Sequence, residues 1–187
     1  MKKSLHGFEF DDNFKNAIIL AGKIHDVGKI RLEFQEILGN DDPKELLAKS
    51  KSNNRIRSKS TYRHEFGSIL DIENDGAEET KDKKFGEFLS ECKKEFKGLN
   101  DDKKDIVLHL VASHHGYARP HFENNILDKS YKDNTIEKTC YDVIGRYDRL
   151  QKKYGIWGLA YLESFLIVAD RRISSGDIQQ DQQKEIK

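Results

Sequence analysis

Apolar residues recur at intervals of three and four positions in most segments of this chain, and no segment shows the sustained alternation of a half-buried strand. That spacing places apolar side chains along one face of an α-helix. The predicted helices cover residues 13–26, 30–38, 43–48, 64–71, 85–97, 101–116, 140–153 and 159–174. An acidic stretch from Asp71 to Glu79 and the patternless residues 122–139 are predicted as loops. We therefore predict an all-α fold, a helical bundle.

Length and composition set further bounds. At 187 residues the chain is long enough for a single domain, with a core at about residues 14–175 and a polar tail at 176–187 that frays. Basic and acidic residues are equal in number, at 33 each, so the net charge identifies no partner. Cys92 and Cys140 lie far apart, as in a protein of the reducing cytoplasm. No apolar run approaches membrane-spanning length, so we expect a cytoplasmic protein with no membrane contact.

A histidine and an aspartate stand side by side at the end of the first predicted helix. His25 continues the apolar face formed by Phe14, Ala17, Ile18 and Ala21, and Asp26 follows it, two residues before a glycine that suits a helix stop. A lone histidine on an apolar face is usually a core residue with a satisfied hydrogen bond. The adjacent carboxylate weakens that interpretation, because burying a carboxylate without a cation is costly.

Further candidate metal ligands follow in order along the chain. His64 opens one predicted helix and a doublet, His114–His115, closes another at Gly116. The helical spacing turns His114 inward and His115 about 100° away, although both can reach one centre where a helix ends. Asp170 lies on the predicted buried face of the last helix, with Ser174 one turn beyond. Imidazole and carboxylate groups bind Mn, Fe, Co, Ni and Zn. We predict that six side chains converge on a centre for two metals: His25, Asp26, His64, His114, His115 and Asp170.

A basic segment leads into His64. No acidic residue occurs between Leu46 and His64, and a solvated surface loop is the usual explanation of such a run. Contact with a nucleic-acid backbone is the functional alternative, since lysine and arginine bind phosphates independently of sequence. Past the histidine doublet, Tyr117 and Arg119 could contact a base and a phosphate. The candidate nucleic-acid contacts are Lys49, Lys51, Arg55, Arg57, Lys59 and Arg119.

The order of these ligands resembles the HD superfamily of metal-dependent phosphohydrolases. The short sequence motifs around these ligands are more specific than their order. They resemble motifs of the HD nuclease of type I CRISPR-associated systems, and the resemblance extends over roughly residues 14–175. They include His25-Asp26-Val27-Gly28-Lys29 with Phe34-Gln35, Arg63-His64-Glu65, Val111-Ala112-Ser113-His114-His115-Gly116 and Ala169-Asp170. Three further motifs, at residues 46–50, 115–120 and 154–163, resemble the I-G (formerly I-U) branch of that family.

The resemblance implies an HD-domain bundle around a central metal site and assigns roles to its residues. Asp26 would bridge two cations, completed on one side by His25 and Asp170, and on the other by His64, His114 and His115. Lys29 would hold a substrate phosphate and Ser174 would orient Asp170. Histidine-rich ligation favours Mn, Ni, Co or Fe over Mg. The implied substrate is single-stranded DNA, and the implied partners are a helicase and the CRISPR RNA-guided effector complex.

The family carries a further metal-binding histidine on a helix well before the His-Asp pair. In this chain only His6 precedes that pair, so the resemblance leaves open whether both metal sites fill. Two alternatives to a DNA nuclease follow. One is a phosphohydrolase of the same superfamily that acts on nucleotides or cyclic dinucleotides, which should show a closed pocket. The other is a non-catalytic, metal-stabilised docking module, which should bind metal without cleaving.

Overall fold

A computed structural model of the protein describes residues 12–40, 42, 46–50, 62–74, 83–122 and 133–175. Within these ranges the secondary structure is helical and contains no strand, which confirms the predicted all-α class. The helices are α1 (Asp12–Ile24), α2 (Leu32–Ile37), α3 (His64–Glu73), α4 (Lys83–Lys97), α5 (Asp101–Ser113) and α6 (Asp133–Ser175), with a short 3₁₀ helix at Val27–Ile30. None of these helices is long and apolar enough to span a membrane.

Helix α1 lies at the centre of the packing and contacts α4, α5 and α6. Its small and branched residues Ala17, Ala21 and Ile24 are completely buried. They pack in one core with Val107 of α5 and Leu162 of α6, among others. Each fully buried aliphatic side chain contributes on the order of 1.5–3 kcal/mol through the area removed from water. The core therefore holds α1 against α5 and α6.

The turn after α1 is fastened to α3 through Ser68. This buried hydroxyl accepts a hydrogen bond from the Gly28 N–H at 2.8 Å and donates one to the His25 carbonyl at 2.9 Å. The approach depends on a missing side chain, since a Cβ on Gly28 would lie 2.1 Å from the His64 carbonyl oxygen. The sequence suggested that Gly28 stops a helix. Instead, α1 ends at Ile24, and Gly28 lies within the 3₁₀ helix, where it lets two backbones touch.

Several predicted boundaries are wrong. Helix α5 ends at Ser113 instead of residue 116, and at its other end it is capped by Asn100, whose side chain accepts from the Lys103 N–H. Its histidine doublet therefore lies in the turn beyond the helix, where Gly116 has a φ of 86°. Helix α6 begins at Asp133, inside the predicted loop at 122–139, and Gly155 interrupts it with a φ of 70°, near the predicted break.

Two further segments differ from the prediction for identifiable reasons. The helix predicted at 43–48 is not formed at Leu46–Ala48, because the Gln35 side-chain amide binds both backbone groups of Leu47, at 2.9 and 3.0 Å. The acidic stretch does not begin in a loop at Asp71. That carboxylate is buried in α3 and pairs with the buried guanidinium of Arg31 at 2.5 Å.

Candidate metal centre

His25 and Asp26 occupy the turn between α1 and the 3₁₀ helix. The His25 Nδ1 atom donates to the Gly22 carbonyl at 2.8 Å, so the Nε2 atom points away from its own helix. That Nε2 atom lies 3.4 Å from an oxygen of Asp26 and 3.7 Å from an oxygen of Asp170. The turn thus presents an imidazole nitrogen and one carboxylate to a point that the Asp170 carboxylate of α6 also approaches.

His64 and His114 face each other across the centre. The His114 Nδ1 atom donates to the Val111 carbonyl at 2.7 Å, and the His64 Nδ1 atom lies 3.5 Å from an oxygen of Glu65. Their Nε2 atoms are 3.4 Å apart. The Oδ1 atom of Asp26 lies 3.3 Å from the His64 Nε2 atom and 4.0 Å from that of His114. Three elements distant in sequence therefore aim nitrogen and oxygen atoms at a common space.

The two oxygens of Asp26 face different neighbours. Its Oδ1 atom faces His64 and His114, whereas its Oδ2 atom faces His25 and accepts from the Lys29 ammonium group at 2.7 Å. Burial by itself would raise the pKa of Asp26, but the interactions with His25, His64 and Lys29 outweigh it and hold the pKa far below its usual range. Asp26 is therefore ionised at neutral pH and offers both oxygens as ligands.

The ligand atoms fall into two groups, each spanning less than 4.8 Å, and the groups share His114. One contains His64, His114 and His115, and the other contains His25, Asp26 and His114. His115 is exposed, with its ring centroid 4.1 Å from that of His114. The structure thus brings together five of the six predicted ligand residues as two overlapping sets.

Asp170 lies at the edge of this centre. Its nearest site atom is the His25 Nε2 atom at 3.7 Å, and its side chain is 29% exposed. The sequence analysis placed it on a buried face of the last helix, but Ile173, three residues further along that helix, is 67% exposed. The Ser174 hydroxyl, the predicted support of this carboxylate, lies 3.5 Å away, at the limit of a hydrogen bond. Asp170 therefore faces both solvent and the centre.

The histidines differ in their protonation. Burial, followed by the charges of the neighbouring histidines, lowers the pKa of His114 to about 3. Burial also lowers the pKa of His115. For His25, burial acts in the same direction, but Asp26 and the Gly22 carbonyl outweigh it and raise the pKa. His114 is consequently neutral at physiological pH and free to donate its Nε2 lone pair.

Unsatisfied buried atoms provide evidence for a divalent cation that does not depend on the sequence motifs. The buried His25 Nε2 and Asp26 Oδ1 atoms have no hydrogen-bond partner among the described residues. Buried polar atoms without partners cost on the order of 1–3 kcal/mol each. A cation between them would satisfy these atoms, and a mixed imidazole and carboxylate set suits Mn, Fe, Co, Ni or Zn.

Only two of the six predicted nucleic-acid contacts, Lys49 and Arg119, lie among the described residues. Lys49 is exposed, whereas Lys51, Arg55, Arg57, Lys59 and His6 lie outside the described residues. Arg119 is held by the buried Glu163 carboxylate at 2.5 Å. The nearby Tyr117 ring stacks on the Arg63 guanidinium, whose central carbon lies 3.7 Å from the ring centroid. A role of these residues in nucleic-acid binding stays a prediction.

The sequence interpretation missed two buried carboxylates beside the centre. Glu163 accepts from Arg119 and also lies 2.7 Å from the Nε2 atom of His109, which fixes the loop after the histidine doublet to α6. Its position seven residues before Asp170, on the same helix face, was a usable signal. Glu65 is completely buried behind His64. Its signal was weaker, since a glutamate in a first helical turn is usually solvated.

The comparisons with known proteins give one match. The family described as "Cas3, HD domain" matches residues 3–176 of the chain, whereas no curated protein and no solved structure matches it. This match confirms the resemblance to the CRISPR-associated HD nucleases and leaves the I-G branch untested. It implies a metal-dependent nuclease role in a CRISPR system. With an all-helical fold, a His/Asp cluster that could hold metal, and a match over most of its length, the chain belongs to the family of Cas3 HD domains.

Proposed function

We propose that the chain hydrolyses phosphodiester bonds of single-stranded DNA, using two divalent cations. The ligands are the six predicted side chains, His25, Asp26, His64, His114, His115 and Asp170. The position of Asp26 carries the proposal, because its Oδ2 atom faces His25 while its Oδ1 atom faces His64 and His114. Two-metal centres clamp the attacking and the leaving oxygen of a phosphodiester, and a bridging carboxylate suits such a centre.

The chemistry divides between the cations and the chain. Divalent cations supply a lowered pKa for water and charge stabilisation at the phosphoryl oxygens. Lys29 places an ammonium group 2.7 Å from Asp26, within reach of a phosphate at that carboxylate, which it would hold as a point charge. Water adds to phosphorus, the bond to the leaving nucleotide oxygen breaks, and that oxygen takes up a proton.

The donor set favours particular metals. Four of the six proposed ligands are imidazoles, whereas Mg²⁺ prefers oxygen ligands and retains water. We therefore propose Mn, Fe, Co or Ni at this centre, with Mg less favourable. We also propose that His6 supplies the family's additional metal-binding histidine. The number of metal ions bound per chain, measured in the wild type and in His6→Ala, tests this role.

A polymeric substrate is supported by the openness of the centre. The Asp26 and Asp170 side chains are 37% and 29% exposed, and His115 is exposed. The described residues thus leave one side of the centre to solvent instead of enclosing a nucleotide. We propose that Lys49, Lys51, Arg55, Arg57, Lys59 and Arg119 contact the phosphate backbone.

The cellular setting of this activity follows from the family. We propose that a helicase and a CRISPR RNA-guided effector complex supply the single strand, and that the chain derives from the I-G branch. A stable complex with the effector or helicase of such a system would support this setting. Equal cleavage of isolated duplex DNA would argue against any need for strand separation.

The testing experiment is cleavage of end-labelled single-stranded DNA by metal-stripped protein, with Mn, Fe (kept ferrous under anaerobic conditions), Co, Ni and Mg added singly. Asp26→Ala should abolish cleavage because the shared ligand is lost. Asp12→Ala is the matched control, since this α1 carboxylate is 92% exposed. The proposal predicts metal-dependent cleavage by the wild type and the control only.

Other outcomes would overturn the proposal. Hydrolysis of nucleotides or cyclic dinucleotides without DNA cleavage would indicate the alternative phosphohydrolase. Tight metal binding with no hydrolysis of any of these substrates would indicate a docking module. Cleavage that persists in Asp26→Ala would show that another site, or another protein in the sample, is responsible.

A further inference from the structure

Glu65 is a buried carboxylate whose surroundings leave it unsatisfied. It lies in the first turn of α3 and is completely shielded from solvent. Neither of its oxygens has a hydrogen-bond partner among the described residues. Burying an ionised carboxylate without compensation is strongly unfavourable. Such a group therefore needs a hydrogen-bond donor close by.

That partner is on the preceding residue. The His64 Nδ1 atom lies 3.5 Å from the Glu65 Oε2 atom, while the Nε2 atom of the same ring lies 3.3 Å from Asp26. Glu65 thus contacts the rear of an imidazole whose front faces the metal centre. The 3.5 Å separation is slightly longer than an ordinary hydrogen bond and would shorten when a cation draws electrons from the ring.

His64 differs from the other two inward-facing histidines, His25 and His114, in the group that its Nδ1 atom faces. His25 and His114 direct their Nδ1 atoms to the backbone carbonyls of Gly22 and Val111. All three rings therefore share one orientation, with Nδ1 turned outward and Nε2 turned toward the centre. Only His64 among these three has a charged group behind it.

We propose that Glu65 is a positioning residue for the metal centre, acting through His64. By accepting the Nδ1 proton, it fixes the tautomer whose Nε2 lone pair faces the cation, and its negative charge makes that nitrogen a stronger donor. The role in metal binding rests on the proposed function, whereas the control of the His64 tautomer does not.

The tautomer is measured first, on metal-stripped protein. The ¹⁵N shifts of the imidazole nitrogens distinguish the two neutral forms, and His64→Gln identifies the His64 signals. We expect His64 to carry its proton on Nδ1 in the wild type. Glu65→Leu removes the acceptor and should shift the population toward the Nε2-protonated form, whereas Glu65→Gln retains an acceptor oxygen and should preserve it. An Nε2-protonated His64 in the wild type would overturn the proposal, whether or not metal binds.

Metal affinity is measured next, by titrating Mn²⁺ or Ni²⁺ into the same proteins. Loss of an outer carboxylate typically weakens metal binding by about 10–100-fold, so we expect that loss for Glu65→Leu and a smaller one for Glu65→Gln. Asp105→Asn is the control, because Asp105 is a largely buried carboxylate near the start of α5 that pairs with Arg149 at 2.7 Å instead of with a site residue.

The outcomes separate this inference from the proposed function. A control that binds metal like the wild type while both Glu65 variants bind more weakly supports the inference. Equal losses in Glu65→Gln and Asp105→Asn would reduce the effect to general destabilisation and overturn it, as would wild-type affinity in both Glu65 variants. A wild type that binds neither metal overturns the proposed function and leaves the tautomer measurement to decide on Glu65.

Discussion

The Nε2 atoms of His64 and His114 lie 3.4 Å apart, and the opposite nitrogen of each ring already faces an acceptor. If His64 carries its proton on Nδ1, as proposed above, the two Nε2 lone pairs face each other. This arrangement is unfavourable in the empty protein and favourable around a cation. In that tautomer we expect the facing nitrogens to destabilise the metal-free protein and a cation between them to remove the repulsion.

Metal removal should lower the stability of the protein. At a metal concentration 100 times Kd, binding adds about 2.7 kcal/mol, which corresponds to a Tm change of about 5–10 °C for a chain of this size. Thermal unfolding with Mn²⁺ or Ni²⁺, and then with a chelator, measures the difference. His114→Gln should lose the effect and the exposed His121→Gln should retain it. An unchanged Tm for the wild type would contradict this prediction.

Metal affinity should fall as the pH is lowered below neutrality. Metal ligands must be deprotonated, and the pKa of His25 lies above its ordinary value because of Asp26. Below that pKa one proton must leave His25, so the affinity should drop about tenfold per pH unit. His114, with a pKa of about 3, adds nothing to this slope above pH 5. Titrations at pH 6, 7 and 8 measure it, and His25→Gln should flatten it. Constant wild-type affinity over this range would exclude His25 as the competing group.

Gly28→Ala should disrupt the centre without touching a ligand. The added Cβ would lie 2.1 Å from the His64 carbonyl oxygen and 2.7 Å from the Ser68 nitrogen, so α3 must move away from the turn that carries Asp26. Overpacking of this kind costs about 1–3 kcal/mol or more, and metal affinity should fall with it. Urea unfolding and metal titration measure the two effects.

Gly22→Ala is the control for this substitution. Its Cβ would meet only the Leu166 side chain, at an ordinary 4.0 Å, and alanine favours a helix interior by about 1 kcal/mol. We expect equal or greater stability and unchanged metal binding. A Gly28→Ala protein as stable and as metal-competent as Gly22→Ala would refute the close-approach argument.

The sequence predicted the features of this centre that depend on neighbouring residues and missed those that depend on residues far apart in the chain. The ligand order is read directly from the sequence, and the inward direction of His114 follows from helical spacing, which is a local property. The pairing of Arg31 with Asp71 and of Glu163 with Arg119 joins residues about 40 apart in the chain. No local pattern encodes such pairs, so the sequence analysis ended the helix and began the acidic loop at Asp71, and it assigned Arg119 to nucleic acid alone.

Lys29→Met should reduce DNA cleavage while leaving metal binding largely intact. The ammonium group lies 2.7 Å from Asp26, and removing one preorganised electrostatic group costs about 10²–10³-fold in kcat. Lys29→Arg keeps the charge and should recover part of the activity. Single-turnover cleavage at saturating metal measures both variants. If Lys29→Met cleaves at the wild-type rate, Lys29 does not contact the reacting phosphate.

Gln35→Leu should destabilise the segment from which the basic residues emerge. The Gln35 amide donates to the carbonyls of Lys29 and Leu47 and accepts from the Leu47 N–H, at 2.7, 3.0 and 2.9 Å. At about 0.5–1.5 kcal/mol for each bond, the free energy of unfolding should fall by roughly 2–4 kcal/mol. Urea denaturation measures this loss. The exposed neighbour Glu36, changed to leucine, should cost less than about 0.5 kcal/mol.

Because Leu47 would no longer be held, Gln35→Leu should also weaken single-stranded DNA binding at low salt. Equal stability of the two variants would show that the Gln35 contacts do not hold this segment.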